Sequence, residues 1–125
     1  MPADLLNPDV TQATITTTIC VRGWTATIRP PVSYTEPIKK SQVSRLSDKK
    51  LSDYEEDHFI ALEIGGAPRA VANLWPEPRA GAGGAGDKDS EENSLHRAVC
   101  DGQMTLAAAQ AQMYGDYLQT YLTYH

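Results

Sequence analysis

Residues 54–78 read YEEDHFIALEIGGAPRAVANLWPEP, and this stretch decides how the rest of the chain is read. Asp57 and His58 stand at the mouth of an apolar run, 59–64, in which Glu63 is the odd polar member. Gly65-Gly66 breaks the run where a positive φ costs little. Asn73-Leu74-Trp75 then returns in extended form until Pro76 and Pro78, which lack the N–H that a ladder needs. The pattern predicts a strand over 59–64, a glycine turn and a short returning strand over 73–75. A histidine entering such a frame suits a catalytic base; the other reading is a hairpin whose polar residues face water.

Upstream, residues 1–12 hold two prolines and read as an irregular arm. Residues 13–21, ATITTTICV, are rich in β-branched side chains, and 24–28, WTATI, follow after Arg22-Gly23. They predict an N-terminal β-hairpin closed by Pro30-Pro31. Residues 33–46 are ambiguous, with Thr35 a possible cap of a short helix. Lys39, Lys40, Arg45, Lys49 and Lys50 make this the most basic part of the chain. They suit either a solvated face or a phosphate-facing patch.

Downstream, the segment 80–86, AGAGGAG, predicts a flexible loop. It lacks the lysine and hydroxyl that end a phosphate-binding P-loop. A helix is expected over 90–99, where Asn93, His96 and Arg97 share a face at three- and four-residue spacing. Asp101-Gly102 ends it, and a second helix over 105–121 has Leu106, Ala109, Met113, Tyr117 and Leu118 as its apolar face.

The 125 residues fit one domain, 13–125, behind the arm. A chain of this length buries roughly two thirds of its extended surface. The formal charge of -5 argues against tight, electrostatically driven binding of nucleic acid, but not against a local basic cleft acting on it transiently. No apolar run approaches a membrane span, and no basic-plus-apolar leader opens the sequence, which leaves export of a precursor open. Cys20 and Cys100, alone, make no structural zinc site. They form either one long-range disulfide, implying an oxidising compartment, or two buried thiols in a cytoplasmic protein.

Asp57-His58, the apolar run, Gly65-Gly66 and Asn73-Leu74 together resemble the HNH (His-Me finger, ββα-metal) endonuclease superfamily. The fuller pattern, DH-I-LE-GG-P, NLWPEP and KD--EN-LHR-VC, resembles small bacterial HNH-like proteins, often exported, over roughly the last two thirds of the chain. The resemblance implies an α+β fold: the N-terminal hairpin, a ββα-metal finger and a C-terminal packing helix. It assigns His58 as general base, Asn73 as the residue that braces the loop and orients the base, and Asp57 as a metal ligand. Asn93 fits the ligand from the helix, with His96 as rival or partner. Arg97, or Lys88, is placed to neutralise the phosphate. The cofactor implied is one divalent ion, Mg²⁺ or Mn²⁺, with Zn²⁺ or Ni²⁺ if His96 binds. The activity implied is cleavage of DNA or RNA with little sequence specificity, and an inhibitor or immunity protein is a possible partner. Three departures stand against activity: Ala61 replaces the usual proline, Glu55, Glu56, Glu63 and Glu77 surround the base, and the match of the helix ligand is ambiguous. They favour the alternative, an inactive finger serving as a protein-binding or structural module.

Overall fold

A computed structural model of the chain describes residues 1–81 and 84–125. Its elements are α1 (Trp24–Ile28), α2 (Val32–Val43), β1 (Tyr54–His58), β2 (Leu74–Pro78), α3 (Ala85–Cys100) and α4 (Leu106–Tyr124), with 3₁₀ turns before α1, between α2 and β1 and between β1 and β2. The N-terminal β-hairpin expected from 13–28 does not form. This part of the chain is helical, and the hairpin, β1–β2, lies in mid-chain.

The threonines explain the error. Thr14 Oγ1 donates to the Asp9 carbonyl at 2.8 Å and accepts from the Thr11 N–H, and Thr18 Oγ1 donates to the Thr14 carbonyl at 2.8 Å. These local bonds offer the backbone an alternative to a ladder. The buried residues of the segment, Ile15, Thr18 and Ile19, stand at i, i+3 and i+4, a helical rather than an alternating spacing. Gly23, at φ +84°, then reverses the chain into α1. Beyond Pro30-Pro31, α2 begins at Val32, before Thr35, and carries Pro37 inside it. Residues 1–12 lie against the glycine turn: Ala67 N–H donates to the Leu5 carbonyl and Asn7 N–H to that of Gly65.

The expected strand at 59–64 is also displaced. β1 ends at His58, and Leu62–Ile64 is a 3₁₀ turn. Phe59, Ile60, Leu62 and Ile64 are all buried, so the run is apolar because it passes through the core, not because one face of a strand is covered. Gly66 permits the turn: a Cβ there would stand 1.7 Å from the Ile60 carbonyl oxygen.

The prolines at 76 and 78 do not stop β2. The register pairs Glu55 with Glu77, Glu56 with Pro76, Asp57 with Trp75 and Tyr54 with Pro78. Phe59 N–H bonds the Asn73 carbonyl and Arg79 N–H that of Asp53, so hydrogen-bonded pairs fall on odd-numbered residues. Pro76 and Pro78 occupy the alternate positions, whose N–H would point away from β1.

α3 begins at Ala85, about a turn before the expected position, with Gly84 at its N-cap. Of the expected flexible loop at 80–86, Ala82 and Gly83 lie outside the described residues, and Ala85 and Gly86 are helical. α4 opens on Thr105, whose Oγ1 accepts from Ala108 N–H at 3.1 Å, and buries Leu106, Ala109, Met113 and Tyr117. Tyr121 stacks on Phe59 at 4.2 Å between ring centres and donates its hydroxyl to the Ala72 carbonyl at 2.6 Å, so this tyrosine joins α4 to the hairpin. A disulfide, Cys20–Cys100, ties the approach to α1 to the last residue of α3. Such bridges persist in oxidising surroundings. Among the described residues, no helix is long and apolar enough to cross a membrane.

Candidate metal centre and base

His58 is the last residue of β1 and only 7% exposed. Its Nε2 lies 2.9 Å from the Pro68 carbonyl oxygen. A carbonyl can only accept, so in the neutral ring Nε2 carries the proton and Nδ1 keeps the lone pair. Burial lowers the ring's pKa, opposed by the Pro68 carbonyl and Asp57, with Arg29 and Lys88 adding to the lowering.

The loop that carries Pro68 is clipped by Asn73, which is fully buried. Its Oδ1 accepts from Ile60 N–H at 2.8 Å, and its Nδ2 donates to the carbonyls of Ile60 at 3.0 Å and Ala67 at 2.9 Å. A side chain thus continues the β ladder for one residue beyond the strand and closes the loop under the histidine. Asn73→Ala strands three buried backbone groups and is expected to lower stability by about 3 kcal/mol, read from the urea midpoint. A variant within about 0.5 kcal/mol of the parent would show that the loop closes without the clip.

Asp57 projects from the face of the hairpin that meets α3. Its Oδ2 accepts from Lys88 Nζ at 2.8 Å and Trp75 Nε1 at 3.2 Å. Lys88 is wholly buried and also reaches Glu92 Oε2 at 2.5 Å and the His58 carbonyl at 3.0 Å. Burial works against its charge, but Asp57 and Glu92 outweigh burial and hold the ammonium above the ordinary lysine range. Lys88 is therefore not available to a phosphate, contrary to the role the resemblance offered it. Behind it lies Glu77, also wholly buried, whose carboxyl is pushed up to about 9 by burial and by Asp57. Among the described residues its carboxyl has no hydrogen-bond partner.

Asp57 is joined by Asp89 and Glu92 of α3: one oxygen of each lies within 4.8 Å of the others. Asp57 is half-buried, Asp89 exposed and Glu92 buried. Burial pushes the Glu92 carboxyl up to about 8 against the pull of Lys88. With all three carboxyls ionised, less the Lys88 ammonium, the formal charge is about -2, which a divalent cation balances. The donors are all hard oxygens, and Lys88 engages only one oxygen each of Asp57 and Glu92. The residues present therefore fit a divalent cation.

These carboxylates, His58 and Asn93 line one cleft of about 320 Å³, with Thr25, Arg29, Glu55 and Glu63 among the remaining walls. Asn93 sits on the exposed part of α3. His96 does not join them. Its Nε2 donates to the Ile19 carbonyl at 2.8 Å and lies 3.6 Å from Cys100 Sγ, in a neighbouring depression with Trp24. One turn beyond Glu92, α3 has passed the cleft and faces the segment before α1. Arg97 is exposed and outside the cleft walls.

Sequence reasoning missed Asp89 and Glu92 as a carboxylate pair. The available signal was their i, i+3 spacing, obscured because Asp89 also reads as a helix cap. Arg29 and Thr25 were missed because their segment was taken for a strand. Compared with protein-family models, curated proteins and solved structures, the chain matches none.

Proposed function

We propose that this cleft hydrolyses phosphodiester bonds in DNA or RNA with the help of a divalent cation, Mg²⁺ or Mn²⁺. One observation carries the reading: a histidine with its Nε2 tied to a carbonyl and its Nδ1 lone pair left over lines the same cleft as three carboxylates fit for a cation. His58 Nδ1 takes the proton from the water that attacks phosphorus. Asn73 and the Pro68 carbonyl hold the ring in that tautomer. Asp57, Asp89 and Glu92 hold the cation, with Asn93 beside them. The cation, when bound, supplies a Lewis acid that neutralises the phosphate and the leaving 3′ oxygen. An all-oxygen set favours Mg²⁺ or Mn²⁺ over Zn²⁺ or Ni²⁺, since His96 is engaged elsewhere. The succession β1, β2, α3, with Asp57-His58 on β1 and Asn73 beside β2, supports the resemblance to His-Me finger nucleases. Little sequence specificity is expected, because the cleft walls are mainly acidic and no long basic tract runs through the sequence.

Lys88 favours a second reading. An ammonium already seated on Asp57 and Glu92 makes the cluster partly self-neutralised, as in an inactive domain that serves as a structural or protein-binding module. Degradation of plasmid DNA and of RNA, assayed with each of the four metals, separates the two. Cleavage that falls about 10²–10⁴-fold in His58→Ala supports the nuclease. Cleavage unchanged in that variant removes His58 as the base. No cleavage with any metal, together with no calorimetric metal binding, supports the module.

A further inference from the structure

The cleft poses an electrostatic problem. Glu55, Asp57, Glu63, Asp89 and Glu92 all line it, and a nucleic-acid backbone entering such walls is repelled. Lys88 is beneath the surface and committed. Arg29 is the only lysine or arginine among the lining residues described. It is exposed, and no hydrogen bond or ion pair of its guanidinium is found among the described residues. Its charge is felt inside the cleft: it acts against protonation of His58 and of Glu63.

Arg29 is also held at a stiff corner. Its N–H donates to the Thr25 carbonyl at 3.0 Å, closing the last turn of α1. Pro30 and Pro31 follow, and a residue before proline is confined to the extended region, where Arg29 sits at φ -65° and ψ 125°. Thr25 lines the same cleft four residues earlier, so a hydroxyl and a guanidinium lie on one face of α1. α1 has no fully buried residue of its own.

We infer that Thr25 and Arg29 form an anion-binding subsite that grips a non-bridging oxygen of a phosphodiester between α1 and the carboxylates of α3. The inference rests on reading the cleft as a phosphodiester site, and it goes beyond that reading by naming the residues that offset the acidic walls. A guanidinium fork suits the task because it offers two parallel donors to a phosphate and stays charged at all relevant pH. An ammonium at this position supplies the charge without the fork.

The probe is a phosphorothioate-linked thymidine dinucleotide, which resists hydrolysis, titrated calorimetrically into the full chain with Mg²⁺ present. Arg29→Gln is expected to weaken binding about tenfold or more, as for loss of one charge-assisted contact, and Arg29→Lys to weaken it by roughly threefold. Mg²⁺ titrated alone should bind Arg29→Gln at least as tightly as the parent, a result a collapsed cleft would not give. Equal dinucleotide affinity in parent and Arg29→Gln overturns the inference, and so does a parent that does not bind the dinucleotide. The two proposals fail separately. Cleavage that depends on His58 but not on Arg29 removes the subsite alone. Binding that depends on Arg29 without any cleavage removes the nuclease alone.

Discussion

Lys88→Met is expected to lower stability by about 3–5 kcal/mol at pH 8, the loss typical of removing one partner from a buried ion pair. Methionine approximates the shape of the lysine stem, so the loss reports charge more than volume. The wild-type ammonium is surrounded by Asp57 Oδ2, Glu92 Oε2 and the His58 carbonyl, all within 3.0 Å. Without it, Asp57 and Glu92 face each other with no internal counter-ion, beside a Glu77 already pushed up to about 9. Burial already pushes Glu92 up to about 8 against the pull of Lys88, so without that pull its folded pKa rises further above the unfolded one. A raised acid is destabilising above its unfolded pKa, and the penalty disappears as both states become protonated. The gap between variant and parent should therefore narrow as the pH falls from 8 towards about 4. Urea unfolding at three pH values measures this. A gap independent of pH would mean that packing, not charge, is what Lys88 supplies.

The same variant separates the two readings of the acidic cluster. If Asp57, Asp89 and Glu92 hold a cation, removing a competing positive charge strengthens their hold on it. Millimolar Mg²⁺ or Mn²⁺ should then raise the unfolding midpoint of Lys88→Met more than that of the parent, since binding to the folded state alone stabilises by mass action. Equal midpoints with and without metal in both proteins would leave Lys88 as the cluster's only cation and favour the module.

What the sequence revealed and hid follows from how local each cause is. The helical placement of Asn93 and the turn at Gly65-Gly66 were legible because adjacent residues fix them: a helical spacing, and a turn needing φ +89° at Gly65. Asp57 and His58 read as entering a strand over 59–64, whereas they end β1, because the apolar run that follows them is core rather than strand. The helical N-terminus was hidden because Thr14 and Thr18 have high β propensity yet use their hydroxyls on nearby carbonyls, a contest that composition alone does not decide. β2 was cut short because a proline stops a strand only where its N–H is needed, and the register that makes Pro76 and Pro78 harmless depends on pairing with β1. Lys88 shows the strongest dependence on tertiary context. The resemblance offers its side chain to a phosphate, and only the approach of α3 to the hairpin turns it into a buried counter-ion. His96 fits a ligand by spacing, but the chain before α1 presents the Ile19 carbonyl to it first.

Replacing both Cys20 and Cys100 by serine should cost about 4 kcal/mol, because the bridge closes a span of 80 residues and loop-closure entropy grows with the logarithm of that span. Reduction of the wild type with a dithiol should move the urea midpoint by a similar amount, which excludes the serine hydroxyls as the cause. The loss should also be uneven in space. α1 has no fully buried residue, and the segment leading to it is held to α3 by the bridge and by the His96 bond to Ile19. The hairpin and α4 are locked by Phe59, Trp75 and Tyr121, far from either cysteine in sequence. In the reduced protein, amide exchange should therefore accelerate over 19–29 while the amides of β1 and β2 keep most of their protection. Thr25 and Arg29 are carried by that loosened segment, so dinucleotide affinity should fall with reduction while Mg²⁺ affinity, set by β1 and α3, changes little. Uniform loss of protection across the chain would instead make the bridge a global clamp acting through the unfolded state alone. An unchanged midpoint would show that the core holds this closure without covalent help.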